Sequence, residues 1–399
     1  MKDKKIVLGV TGGIAAYKAA ELVRLLVKAG AEVKVAMTSH ATKFVTPLTF
    51  EALSGNKVIN DMWGPETAPM DHITLGQDAD LIIVAPATAN FIGKLAHGIG
   101  DDFLSTMVLA ATARILLCPA MNTGMYRNPA VQDNLSILKG RGCTVMDPEE
   151  GGLACRTEGA GRLPEPPDIV EEALALVTAK DFSGIRVLIT AGPTIEPIDP
   201  VRYITNRSTG KMGFALAKAA RMRGAEVTLV SGPTHLKPPR GVSFLGVRTA
   251  EEMRGSVLEK SRACEVVIKA GAVLDYRPRE KALHKIKKTE ESQTLELVRN
   301  PDILGELGRM KRDTRCLLVG FAAETQDLVG NAAEKLKRKN LDLIIANDVS
   351  RQDAGFESDT NAVKVLYRDG RVEDLPLATK DDVADLLLDR IRQVWEAGS

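Results

Sequence analysis

Three side chains able to move a proton or hold a carboxylate stand out in this sequence: His72 in MDHITLG, Asn122 in PAMNTGMY and Cys155 in GGLACRTEGAGR. Histidine is the side chain most often used as an acid or base near neutral pH. A thiol flanked by Arg156 and Arg162 in a glycine-rich stretch has a proton that neighbouring cations make easier to use. Each also has a plain reading that the sequence leaves open: a surface histidine, an asparagine capping the next turn, an inert loop thiol. A second group is cationic. HKIKK at 284–288 follows Asp275-Tyr276-Arg277, Lys335 and Lys339 share one helix face at i and i+4, and Asn300-Pro301-Asp302 opens a helix that either polar residue could cap. Charge runs are usually solvated faces, but at a strand end of a nucleotide fold lysines neutralise phosphates.

Two strand–turn–helix openings must position these groups. The first, KKIVLGVTGGIAAYKAAELVRLL, has a strand over 6–11, a turn at Gly12-Gly13 and a helix from Ile14. The second, RVLITAGPTIEPIDPVRYITNRSTGKMG at 186–213, runs from a short apolar strand through a long Gly- and Pro-rich loop to Ser208-Thr209-Gly210 and a helix from Lys211. A helix N-terminus behind a strand presents unpaired N–H groups and the positive end of the helix dipole, so each opening is a candidate anion site. GVTGGIAAYK is not a clean GxGxxG, and strand two ends Met37-Thr38-Ser39-His40 where a dinucleotide site wants an acid for the ribose. Hydroxyls there suit a mononucleotide phosphate better than NAD. A purely structural turn remains open on pattern alone.

Around these openings strands and helices alternate. Strands are expected at 32–38, 81–88, 115–122 and 143–148, with a helix over 101–113. Residues 151–167 lack periodicity and read as a mobile flap and a turn, before a helix at 168–177 and a linker at 179–184. The second half repeats the rhythm. Strands fall at 226–232, 265–273, 316–325 and 341–348, and helices near 211–223, 250–263, 302–311 and 327–339. Asp369-Gly370 between alternating runs predicts a β-hairpin over 361–375, and a last helix starts near Thr379. The pattern implies two doubly wound, parallel-sheet, Rossmann-like α/β domains in tandem, 1–179 and 180–399, with ligands beyond the carboxyl ends of the strands.

Composition narrows the function class. A formal charge of +1 leaves no electrostatic footprint for nucleic acid or a membrane surface, and 4% aromatics argues against base-stacking binders. The five cysteines are odd in number and form no CxxC, which fits a reduced cytoplasmic protein without structural zinc. The lysine-rich start turns at Gly12-Gly13 too soon for a signal peptide, and no run approaches membrane-spanning length.

Several longer motifs carry a resemblance. GGIAAYK, HITLGQDADLIIVAPATAN, PAMNTGMY and ACRTEGAGR resemble the flavin-dependent cysteine decarboxylase family. ITAGPTIEPIDPVRYITNRSTGKMGFALA, DYRP, KIKK, NPDIL, GFAAET and NLDLIIANDV resemble phosphopantothenate–cysteine ligase. In this order on one chain they are similar to the bifunctional phosphopantothenoylcysteine decarboxylase/phosphopantothenate–cysteine ligase family of coenzyme A biosynthesis. The resemblance implies a flavodoxin-like first domain. It implies that the second half uses CTP and Mg²⁺ to activate 4′-phosphopantothenate as an acyl-cytidylate, which cysteine then attacks. The first half then decarboxylates the product on FMN. Loss of CO₂ beside an amide nitrogen leaves a carbanion with no sink unless the thiol-bearing carbon is first oxidised, which is why a flavin is implied.

Motif by motif, the resemblance implies that FMN lies on Gly12, Gly13 and Ile14, with Ser39 and Ser105-Thr106 near it. His72 serves the oxidation and decarboxylation step, Asn122 holds the substrate carboxylate and Cys155 donates the final proton. In the second half it implies Lys285 on the CTP phosphates, with Asp275, Pro301, Asp302, Ile303, Leu304, Phe321, Lys335 and Lys339 around the nucleotide. Asn206 would bind the acyl-cytidylate, with Arg202 in support. Metal ligands stay unassigned. Arg156 stands where the family usually has glycine, Tyr126 where many relatives have tryptophan, and Thr209 where serine is common. Gly271 and Leu274 depart from alanine-rich text near the nucleotide. The family assembles as homo-oligomers, trimers of the first domain and dimers of the second, which suggests a dodecamer. Two rivals are a flavin-fold binding protein without catalysis and an NAD(P)-linked oxidoreductase. Retention of His72, Asn122 and Cys155 opposes the former, and the missing acid after strand two opposes the latter.

Overall fold

The computed structural model describes residues 1, 3–64, 67–152, 158–287, 294–311, 316–324, 326–348 and 358–398. Cys155, Arg156 and Lys288 lie outside the described residues. Contacts divide the chain into two units, Met1–Thr178 and Ala179–Ser399.

The first unit is built on β1 (Lys5–Val10), β2 (Glu32–Met37), β3 (Leu81–Ala87), β4 (Arg114–Pro119) and β5 (Thr144–Val145). They pair in parallel in the order β2-β1-β3-β4-β5, the flavodoxin order. All seven residues of β3 are buried, as a central strand covered on both faces requires. Alternation along β1 serves two cores. Ile6, Leu8 and Val10 pack with α1 (Ala16–Lys28), α2 (Pro47–Ser54) and α8 (Pro166–Val177). Val7 joins the opposite core with α3 (Asp71–Asp78), α4 (Ala89–His97), α5 (Phe103–Leu109) and α7 (Pro129–Gly140).

The helix expected over 101–113 is confined to Phe103–Leu109: Asp102 and Ser105 form a reciprocal capping box that sets its start, and Ala110 caps its end. The strand expected over 115–122 stops at Pro119, and Asn122 caps the one-turn α6 (Thr123–Tyr126). The stretch read as an irregular flap contains two antiparallel strands, β6 (Glu149–Gly152) and β7 (Glu158–Arg162). Their glycines hide them from any periodicity.

In the second unit the principal strands are β8 (Arg186–Ala191), β11 (Glu226–Ser231), β12 (Ser243–Gly246), β13 (Val266–Lys269), β16 (Leu317–Glu324) and β17 (Leu343–Asp348). All are parallel, in the order β12-β11-β8-β13-β16-β17, the dinucleotide-fold order. The sheet then continues antiparallel through β19 (Val363–Tyr367) and β20 (Val372–Asp374), the hairpin expected at Asp369-Gly370, where Gly370 takes φ 91°. Its helices are α9 (Lys211–Met222), α10 (Ala250–Ser261), α11 (Ile303–Met310), α12 (Leu328–Arg338) and α13 (Lys380–Gly398). One core gathers α9 and α13, the other α10, α11 and α12, so this sheet too is covered on both faces.

Short pairings complete the unit: β9 (Ile195–Pro197) with β10 (Tyr203–Thr205), β14 (Tyr276–Pro278) with β15 (Leu297–Arg299), and β18 (Thr360–Asn361) with β21 (Ala378–Thr379). The long loop after β8 is therefore partly ordered as a small hairpin, and β13 ends at Lys269, four residues before the expected 273.

Candidate functional site

In the first unit the strand order reverses between β1 and β3, the place where a doubly wound sheet holds ligands at the carboxyl ends of its strands. Thr11, at the end of β1, is 1% exposed and ties the two edges together. Its hydroxyl donates to the Pro86 carbonyl at 2.7 Å and accepts from the Thr88 amide at 3.0 Å. The Thr88 hydroxyl in turn accepts from the Phe91 amide at 3.4 Å, at the start of α4. Gly12 lies where a Cβ would stand 2.4 Å from the His40 Cβ, so no side chain fits between the turn and the end of β2. The turn therefore brings backbone, with no side chain, to the N-terminus of α1, as close approach to a phosphate requires. Ile14 is 59% exposed beside it, and Ser39 lies exposed after β2.

Ser105 is fully buried, and its hydroxyl is engaged with Asp102: it accepts from the Asp102 amide at 3.1 Å and donates to the Asp102 carboxylate at 2.9 Å. Thr106 donates its hydroxyl to the Asp102 carbonyl at 2.8 Å. The Ser105-Thr106 pair thus shapes the start of α5. His72 sits in the first turn of α3, which packs on α5 where Gly76 leaves no room for a Cβ, 2.7 Å from the Met107 carbonyl oxygen.

Asn122 accepts the Gly124 amide at 2.8 Å, the capping role that its position allowed. The β6–β7 hairpin is laid against this segment. The Met121 amide donates to the Gly161 carbonyl at 2.9 Å. A Cβ on Gly161 would stand 2.2 Å from the Met121 carbonyl oxygen, and one on Gly159 would stand 2.8 Å from the Thr123 hydroxyl; both glycines take positive φ. EGAGR, residues 158–162, therefore uses its glycines to bring its backbone onto the Asn122 turn, a signal legible as spacing but not as purpose.

In the second unit the same reversal falls between β8 and β13, and a cleft of about 880 Å³ opens there. Its walls include Asp275, Pro301, Asp302, Ile303, Leu304, Phe321, Lys335 and Lys339, eight of the residues expected around the nucleotide, and Asn206, expected to bind the acyl-cytidylate. Gly210 caps α9 in the left-handed conformation (φ 81°) without a side-chain cap. Gly213 lets the helix approach β8, since a Cβ would stand 2.5 Å from that of Ala191. The Asn206 amide donates to the Ala272 carbonyl at 3.0 Å. Asp302 caps α11 through the Gly305 amide at 3.0 Å and holds Lys339 at 2.8 Å. Burial opposes the charge of Asp302, but Lys339 and the helix amide outweigh it and lower its pKa. Asn300 caps nothing. Its amide donates to the Leu274 carbonyl at 2.9 Å, and its own oxygen accepts from Arg277 at 3.0 Å.

The Flavoprotein family model matches residues 1–178, and that of the DNA/pantothenate metabolism flavoprotein C-terminal domain matches residues 182–394. The chain is 50% identical to the coenzyme A biosynthesis bifunctional protein CoaBC of Bacillus subtilis (strain 168), over 98% of this chain and 97% of that one. It is 48% identical to the protein of the same name from Escherichia coli (strain K12), over 98% and 97%. A crystal structure of the C-terminal domain of a coenzyme A biosynthesis bifunctional protein CoaBC aligns with 44% identity and a TM-score of 0.48, covering 55% of this chain and all of that one. This chain belongs to the family of bifunctional coenzyme A biosynthesis proteins.

Two residues carried over from that family stand apart from the cleft walls. Lys285 is exposed on the segment 281–287, and Arg202 lies in the β9–β10 turn. The structure links them through Asp199, which the sequence reading passed over. Asp199 is 2% exposed and accepts the amides of Val201 and Arg202, each at 2.8 Å, and that of Ile286 at 3.2 Å. Arg202 donates to Asp199 at 2.7 Å and to the Ile286 carbonyl at 2.7 Å. Burial works against ionising Asp199, but these amides and the guanidinium prevail and hold it well below the usual carboxylate range. In this coenzyme A biosynthesis chain the pair pins the lysine segment at Ile286, between Lys285 and Lys287. IDPVR carried the signal, an acid and an arginine three apart around a proline. Among the described residues no group of three or more His, Cys, Asp or Glu is placed to hold a metal, and no helix is long and apolar enough to cross a membrane.

Proposed function

We propose that this chain is a two-reaction enzyme of coenzyme A biosynthesis whose domains, 1–179 and 180–399, act in the reverse of their order along the chain. The second joins cysteine to 4′-phosphopantothenate with CTP and Mg²⁺, through an acyl-cytidylate, releasing pyrophosphate and then CMP. The first decarboxylates 4′-phosphopantothenoylcysteine to 4′-phosphopantetheine. The observation that carries the reading is near-full-length identity to bifunctional relatives combined with a strand-order reversal in each sheet, the second opening a cleft.

FMN fits the first crevice. Gly12 and Gly13 present bare backbone at the N-terminus of α1, and the knot of Thr11 and Thr88 holds the crevice edges. Bound there, the flavin supplies the electron sink that decarboxylation beside an amide lacks. Ile14 and Ser39 flank its site, and Ser105 and Thr106 act by shaping the start of α5. His72 holds or accepts a proton, Asn122 orients the substrate carboxylate, and Cys155 donates a proton to the product. In the second cleft Asn206 binds the activated acyl group. Asp275, Phe321, the 301–304 segment, Lys335 and Lys339 surround the nucleotide, and Arg202 supports the segment from which Lys285 reaches the phosphates. The joining step brings two anions together, so it needs cations that are already in position. The protein works in the cytoplasm as a homo-oligomer, with trimers of the first domain and dimers of the second combining in a dodecamer.

Incubation with 4′-phosphopantothenate, cysteine, CTP and Mg²⁺, following CMP and CO₂ separately, tests the reading. CMP without cysteine-dependent product, or CO₂ release from protein lacking flavin, would overturn it.

A further inference from the structure

Lys269 has no role in the assignments above. It is the lone cation in the apolar stretch EVVIKAGAV and the last residue of β13, next to β8 across the point where strand order reverses. Its side chain lines the nucleotide cleft, and its ammonium group donates to the Gly271 carbonyl at 3.0 Å. Lys335 lines the same cleft from α12 and donates to the Phe321 carbonyl at 3.1 Å. Lys339 completes the set and is held by Asp302 at 2.8 Å. Among the described residues no carboxylate forms an ion pair with Lys269 or Lys335. Burial, followed by Lys335 and Lys339, lowers the pKa of Lys269 to about 8, while Asp302 and Asp275 pull the other way. Burial and then Lys339 lower that of Lys335 as well.

Three ammonium groups gathered on one cleft with a single paired acid repel one another and lose hydration. A surface lysine turns outward to escape this, but a lysine at the end of a central strand cannot. The arrangement is offset when a ligand with several negative charges lies among the three groups, where charge-assisted hydrogen bonds are strong.

We infer that Lys269 binds phosphate in this chain's ligase site, holding with Lys335 and Lys339 the polyphosphate of the nucleotide and the pyrophosphate that leaves. The inference rests on the nucleotide-dependent ligation proposed above and names a further side chain that performs it.

Lys269→Met keeps the length of the stem and removes the charge. Titration calorimetry on the full chain should show affinity for both inorganic pyrophosphate and CTP reduced about tenfold or more, the loss of one charge-assisted contact. KM for CTP should rise more than kcat falls, with CO₂ release from supplied phosphopantothenoylcysteine as the control for folding. Unchanged pyrophosphate affinity, or weaker CTP binding alone, would overturn the role, because pyrophosphate carries no base or ribose. If the unmodified chain binds pyrophosphate but forms no CMP from CTP, the ligase reading fails while the pyrophosphate comparison still judges Lys269. Should the variant not fold, the unmodified chain decides: binding at pH 9 of sulfate, an anion that does not itself titrate there, should be accompanied by proton uptake, read from its heat in two buffers, and zero uptake would count against the role.

Discussion

The two units put their openings at the same topological place and furnish them in opposite ways. In the first, a short connection that turns at Gly12-Gly13 joins β1 to α1, and hydroxyls of Thr11 and Thr88 tie the ends of β1 and β3 together. In the second, a longer excursion between β8 and α9 folds into its own hairpin, and the cleft beyond it is lined by Lys211, Lys269, Lys335, Lys339 and Lys380. A flavin phosphate is one anion held permanently, and backbone amides at a helix end suffice for it. Under the proposed ligation a triphosphate must meet the carboxylate of a phosphate ester, and these anions repel each other until cations lie between them. A doubly wound sheet supplies the mouth in both cases. The charge around it follows from what must meet there.

Gly12→Val should break the contrast most completely. With a Cβ forced to within 2.4 Å of that of His40, the protein should purify without flavin absorbance and release no CO₂, while CMP formation continues. Retained flavin would mean that the turn is structural only. Lys285→Gln should do the converse, lowering CMP formation roughly a hundredfold, the scale of one lost electrostatic donor, with CO₂ release from supplied product intact. A parallel fall in both reactions would show that the units do not act separately. Thr11→Val sharpens the hydroxyl side of the comparison. Loss of its buried hydrogen bonds should destabilise the first unit by about 1–3 kcal/mol, seen as an earlier denaturant midpoint and faster flavin release.

The smallest effect is one of pH. Below pH 8 Lys269 is charged whether folded or unfolded, and the folded chain bears the full burial penalty. Between about 8 and the ordinary 10.5 Lys269 keeps its proton in the unfolded chain and loses it in the folded one, so the contribution of this residue to stability rises with pH across that window. In ligand-free protein, Lys269→Met should flatten the rise, and a rise of equal slope in both proteins would assign it elsewhere.

Much of the fold was legible in the residues. The apolar run LIIVAPA reads as a central strand because parallel strands are buried on both faces, and all of β3 is buried. Asp369-Gly370 announces its hairpin because an aspartate–glycine turn suits a tight reversal. Both strand orders agree with the doubly wound reading, the first with the flavodoxin-like form. The β6 and β7 strands escaped because glycine carries no alternating side chains, and α5 starts later than its pattern because Asp102 and Ser105 cap it there. In the second unit eight of the residues expected at the nucleotide line one cleft together with Asn206, while Lys285 and Arg202 lie on a neighbouring segment and turn joined through Asp199.

By itself the sequence determined two strand–glycine–helix openings, each at the head of an alternating α/β series, because strand burial, turn chemistry and helix periodicity are written in neighbouring residues. Only the tertiary structure decided that Gly12 must be bare because His40 faces it, that Asp199 anchors the chain at Ile286, and that Lys269 shares a cleft with Lys335 and Lys339. These meetings join residues tens of positions apart, and which of them come together depends on strand order and helix crossover, which no local pattern encodes.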